Sequence, residues 1–103
     1  MKEYLEIETS FANREDALKM ASSLLDAKLV ACANMAQVAS FYDWDGERCE
    51  AGEFLLRVKT RIVLERECVE FIKMNHPYKV PMITAIVKKV NAEYVDWVVS
   101  SVK

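Results

Sequence analysis

The chain has 103 residues, 52% hydrophobic and 29% charged, with only 2 Gly and 2 Pro, which excludes collagen-like, low-complexity and disordered classes. Lys and Arg number 14 against 16 Asp and Glu, a formal charge of −2, so nothing draws the chain to nucleic acid or to an anionic membrane surface. A chain of this size makes one domain, residues 1–103, and small domains hide less of their surface than large ones, so self-association is an expected source of stability.

From Tyr4 to Glu8, Tyr4, Glu6 and Glu8 alternate with Leu5 and Ile7, the period of a half-buried strand. Asn13 stands where a helix N-cap would, Glu15 and Asp16 put negative charge on the first turn, and Ala17, Met20, Ala21, Leu24 and Leu25 recur at helical spacing, so a helix runs to about Lys28. Leu29 to Tyr42 is rich in small apolar residues without one clean helical face, and is read as a long, bent strand. Asp45-Gly46 supplies the positive φ of a tight hairpin, and a returning strand is predicted from Phe54 to Thr60.

A second helix is predicted from Ile62 to Met74, with Leu64, Cys68, Phe71 and Ile72 facing the core. Pro77 and Pro81 bracket a loop that cannot continue that helix. Met82 to Val90 reads as the last strand, and Asn91 as the cap of a terminal helix bearing Tyr94, Val95, Val98, Val99 and Val102. The order βαββαβ plus a C-terminal helix predicts an α+β ferredoxin-like sandwich: an antiparallel sheet with both main helices on one face.

Cys32, Cys49 and Cys68 are too few and too dispersed for a disulfide framework, which points to a reducing compartment. Cys32 and Cys68 are expected as small core residues and Cys49, near the hairpin, as the reactive thiol. The charged alternation at the N-terminus lacks the features of a secretory leader, and no stretch approaches the roughly 18 apolar residues of a membrane span. A cytoplasmic protein with no membrane or nucleic-acid partner is therefore expected.

His76 is the only histidine, no nucleophile elbow or phosphate loop occurs, and the cysteines form no C-x-x-C pair, so no catalytic constellation can be assembled and an enzyme is not expected. In its Pro-bracketed loop His76 either caps the preceding helix as a cation or is aimed at a ligand, the first being favoured on spacing alone. Among the large aromatics, Trp97 is expected in the core, Trp44 equally in the core or at an interface. Glu47, Glu50 and Glu53 read as solvated charges, with cross-strand pairing to Arg57 or Lys59 as the alternative.

The strings Leu29-Val-Ala-Cys-Ala-Asn34, Phe41-Tyr-Asp-Trp-Asp-Gly46, Glu53 followed by Leu55-Leu-Arg-Val-Lys-Thr60, His76-Pro-Tyr-Lys-Val-Pro81 and Tyr94-Val-Asp-Trp97, taken together, resemble the divalent-cation tolerance family, CutA. The resemblance implies a ferredoxin-like homotrimer with the aromatic hairpin as an inter-subunit arm. It further implies a response to divalent metal ions, with copper as the candidate cofactor. The family's Cys, His and Glu cluster falls here on Glu8, His76 and Met82, so two of the three ligand types have changed, with Met82 shifting preference toward Cu(I). The same architecture is similar to the PII signalling trimers, and implies as a second reading a small effector held in an inter-subunit cleft lined by Tyr42, Trp44, Glu53, Lys59 and Tyr78.

Overall fold

The computed structural model describes residues 1–103. Four strands form one antiparallel sheet: β1 (Lys2–Phe11), β2 (Cys32–Trp44), β3 (Glu47–Thr60) and β4 (Ile83–Val90), in the spatial order β2-β3-β1-β4. Helix α1 (Arg14–Asp26) joins β1 to β2, and a 3-10 turn over Ile62–Leu64 followed by α2 (Glu65–Asn75) joins β3 to β4. Helix α3 (Ala92–Ser101) closes the chain. This is the expected ferredoxin-like sandwich.

The alternation in β1 decides which face is covered. Leu5, Ile7 and Phe11 point to α1 and α2 and are fully buried with Leu56 and Val58 of β3, Leu24 of α1 and Cys68 and Ile72 of α2. Each large apolar side chain removed from water in this way contributes about 1.5–3 kcal/mol. Tyr4, Glu6, Glu8 and Ser10 lie on the opposite face, where only α3 packs, with the Tyr94 ring edge-on to Tyr4 at 6.1 Å.

Asn13 caps α1 as predicted, its side-chain oxygen accepting from the Asp16 N–H at 2.9 Å. The helix ends at Asp26, Lys28 just beyond it takes a left-handed φ of 58°, and the Leu29 N–H bonds back to the Leu24 carbonyl at 3.1 Å. That stop explains a boundary the sequence misplaced. Leu29 and Val30 are not strand but a buried connection, and the Leu29 carbonyl accepts from both the Thr60 hydroxyl (2.6 Å) and the Cys68 thiol (3.3 Å). Asn91 precedes α3 as expected, yet its side chain donates to Glu93 Oε2 at 3.1 Å and caps no backbone amide.

The hairpin is longer than predicted. β3 begins at Glu47, not near Phe54, and the pairing of β2 with β3 runs unbroken from Cys32↔Lys59 to Trp44↔Glu47. Asp45 and Gly46 both have positive φ (51° and 79°) and turn the chain in two residues. β1 pairs with β3 only as far as Phe11↔Phe54, so the outer part of the hairpin is a two-stranded ribbon without a third strand. The ribbon stretches the molecule to 47 × 25 × 20 Å.

Candidate functional site

His76 follows α2, but its ring does not cap that helix. It turns to the end of β1, stacks on Phe11 with centroids 4.4 Å apart and planes at 10°, and is almost completely buried. Nε2 lies 2.9 Å from the Ser10 carbonyl, which only accepts, so Nε2 carries the proton. Nδ1 accepts the Tyr78 backbone N–H at 3.1 Å. The imidazole is thus a neutral, fully committed bridge between β1 and the loop after α2. Burial pushes its pKa below the usual histidine value, against the pull of the Ser10 carbonyl and of Asp16. The cationic cap expected from spacing is corrected accordingly: a buried ring with a donor on one nitrogen and an acceptor on the other is favoured uncharged.

The residues matched to the family's metal cluster do not form one shell within the chain. Glu8 lies on the face away from α1 and α2 and accepts from Arg57 Nε at 2.6 Å, whereas His76 packs against Phe11 on the covered face with no free ring lone pair. Met82 is partly exposed just before β4. No three His, Cys, Asp or Glu side chains stand close enough to hold a metal ion. The donor set of a single chain therefore does not fit a resident copper.

The cleft residues divide in two. Tyr78 sits at the base of the ribbon, its phenol pushed up by burial and then by the charges of Glu53 and Asp16 and by Tyr42. Lys59 lies six residues along β3 from Glu53, about 20 Å at the rise of an extended strand. Its ammonium is 5.4 Å from the centre of the Tyr94 ring. Burial lowers the Lys59 pKa, but the adjacent Tyr94 side chain, with Cys32 and Tyr4, outweighs it and raises the value. Trp44 is at the ribbon tip, 68% exposed.

Two further expectations are corrected. Trp97 is 47% exposed, not core, because α3 turns Val95 and Val98 inward and tilts Trp97 against Tyr94 at 5.6 Å. Cys32 is only partly buried: it opens β2 on the uncovered face, and its thiol points to Asn34 Oδ1 at 3.8 Å. Glu47, Glu50 and Glu53, by contrast, make no ion pair and stand as the solvated charges expected, since Arg57 takes Glu8 and the only ion pair within the ribbon is Asp43–Arg48. Cys68 is also buried as predicted, and burial pushes its thiol up to about 11.

A family model described as CutA1 divalent ion tolerance protein matches residues 6–101. The chain belongs to the CutA1 family. The divalent-cation tolerance protein CutA of Pyrococcus horikoshii is 41% identical over 96 residues, 92% of this chain and 94% of that one. That of Thermotoga maritima is 37% identical over 95 residues, 91% and 94% of the two chains. A crystal structure of the P. horikoshii CutA superposes with a TM-score of 0.91 at 39% identity, covering 96% of this chain and 99% of that one. CutA1 from Oryza sativa gives 0.90 at 32% identity, covering 98% and 94%. An Archaeoglobus fulgidus CutA described as a periplasmic divalent cation tolerance protein gives 0.88 at 33% identity, covering 99% and 100%. Sequence alone had reached the CutA1 fold, but no sequence signal distinguished a ligand histidine from the packed His76 seen here.

Proposed function

We propose that this CutA1 chain is a homotrimeric, non-catalytic protein of divalent-cation tolerance, and that its cation, copper(II) first among candidates, is held between subunits and not by His76, Glu8 and Met82 of one chain. The names of the relatives support the cation role. The observation that carries the assembly is the overhanging ribbon. A two-stranded ribbon is at best marginally stable in water, yet this one leaves Phe41 and Trp44 two-thirds exposed, surface that a neighbouring copy would cover. The ion pair of Glu8 and the occupied nitrogens of His76 support placing the cation elsewhere. Three cysteines, none in a disulfide, support a cytoplasmic location.

Light scattering on the purified protein, with copper(II) titration calorimetry on the same sample and on His76→Ala, tests this reading. A mass near three times 11.8 kDa, with copper binding that survives the substitution at protein concentrations where the variant is still a trimer, is the expected result. A monomer overturns the assembly. A trimer that binds no copper, or that loses binding with His76→Ala while staying a trimer, overturns the inter-subunit cation site.

A further inference from the structure

A polar cavity opens beside the His76 bridge, between α1 and the end of α2. Asp16, Lys19, Met20 and Ser23 of α1 line it, at the i, i+3, i+4 and i+7 spacing that puts four side chains on one face of a helix. Asn75, the last residue of α2, and Pro77 close it from the other side. Buried Met20 and Pro77 give it apolar walls, and the other four residues carry polar groups. Its volume of about 180 Å³ lies below the roughly 300–1,000 Å³ of sites for drug-sized ligands, so it admits a molecule of few heavy atoms.

The fold leaves these polar groups unused. Asp16 and Lys19 stand three apart on one helix, where opposite charges commonly pair, yet they pair neither with one another nor with any other side-chain ion. Asp16 accepts from the Asn13 side chain through Oδ2 alone, at 3.1 Å, which leaves Oδ1 free. Asn75 donates through Nδ2 to the Phe71 carbonyl at 2.8 Å, so its side-chain oxygen remains an acceptor. Ser23 is half-buried and its hydroxyl adds a donor. The cavity therefore has an acceptor pole, Asp16 and Asn75 at the negative end of α2, and a donor pole, Lys19 and Ser23. Along the axis of α1, Lys19 and Ser23 lie about 4.5 and about 10.5 Å from Asp16. A lone cation placed here meets the charge of Lys19 and a lone anion meets that of Asp16, whereas a molecule with both charges satisfies both.

We propose that this cavity binds a small zwitterion of the α-amino acid class, its ammonium held by the side-chain oxygens of Asp16 and Asn75 and its carboxylate by the Lys19 ammonium and the Ser23 hydroxyl. Hydrogen bonds with an ionised partner at both ends of the molecule are the stronger kind, and they fix its direction in the cavity. Every lining residue comes from one chain, so the site is complete without a second copy. The bound molecule spans α1 and the loop that His76 ties to β1, and so fastens that loop a second time.

Amide chemical shifts of the whole protein, followed by NMR during titration with L-alanine, propionate and ethylammonium, test the site one charge at a time. L-Alanine is expected to move the amides of Lys19, Ser23 and Asn75 saturably, with a Kd of about 1 mM. Propionate, which lacks the ammonium, and ethylammonium, which lacks the carboxylate, are each expected to bind about tenfold or more weakly. Asp16→Asn and Lys19→Gln are each expected to weaken L-alanine by a similar factor. Lys19 is exposed and Gln is as good a helix former, so Lys19→Gln serves where Asp16→Asn disturbs the start of α1. No saturable shift at these amides, binding of either single-charge analogue as tight as that of L-alanine, or unchanged affinity in Lys19→Gln overturns the proposal. Monomer and trimer alike permit the titration, so its failure leaves the homotrimer reading as it stands.

Discussion

Replacing His76 by Ala separates a packed bridge from a ligand. The ring is 9% exposed, lies face to face with Phe11 and satisfies the Ser10 carbonyl and the Tyr78 amide. Truncation leaves a cavity beside Phe11, and removing a buried aromatic ring costs about 3–5 kcal/mol where the surroundings cannot collapse. The two orphaned backbone groups add about 1–3 kcal/mol each if they stay dry, but the loop after α2 is at the surface and water can reach part of it. The low end of the first range, about 3 kcal/mol, is therefore the expected loss. At a urea dependence of about 1–3 kcal/mol per molar it moves the unfolding midpoint down by about 1–3 M. Both proteins are compared at one protein concentration, since assembly adds stability by mass action. A loss below about 1 kcal/mol would refute the bridge, because an imidazole free to bind metal has little folding energy to forfeit.

Other consequences are checked as directly. Because the folded pKa of His76 lies below its unfolded value, the unfolded chain takes up the proton first; stability is expected to fall as the pH drops below the ordinary histidine pKa of about 6.5 and to level off below the depressed folded value. Urea midpoints from pH 8 to pH 5 read this, and His76→Gln should flatten that part of the profile. A disulfide reagent near neutral pH is expected to label Cys49 far faster than Cys68, whose thiol is buried and pushed up to about 11; equal rates would contradict the packing around Leu29. Gly46→Ala is expected to cost about 1 kcal/mol in thermal or urea unfolding, since a new Cβ meets nothing within 4 Å and the penalty is that of the positive φ alone.

The elements whose two faces differ were legible. Leu5 and Ile7 against Glu6 and Glu8 gave β1, and the Cys68 and Ile72 stripe gave α2, because burial on one side writes the period into the sequence. The outer half of β3 was not legible, since Glu47 to Gly52 has no third strand beside it and no core beneath it to impose alternation. Its strand character comes from pairing with β2, a non-local fact. Trp97 was misplaced because it stands at the border of α3, between the buried side of Val95 and Val98 and the polar side of Glu93, Asp96 and Ser100, and its size alone argued for the core.

The site was harder than the fold because its decisive facts are distances between remote positions. A lone histidine between a helix and a proline is compatible with a cap, a ligand or a buried bridge, and only the approach of Ser10, sixty-six positions away, decides for the bridge. The family pattern then acquires a physical meaning that a motif does not supply. His76-Pro-Tyr-Lys-Val-Pro81 is a loop whose first residue ties it to β1 and whose third, Tyr78, is thereby fixed at the base of the ribbon near Glu53. Loosening His76 should disturb the root of the ribbon and, through it, the neighbour that the ribbon serves. For that reason subunit assembly, and not metal affinity alone, is the property in which His76→Ala should first be visible.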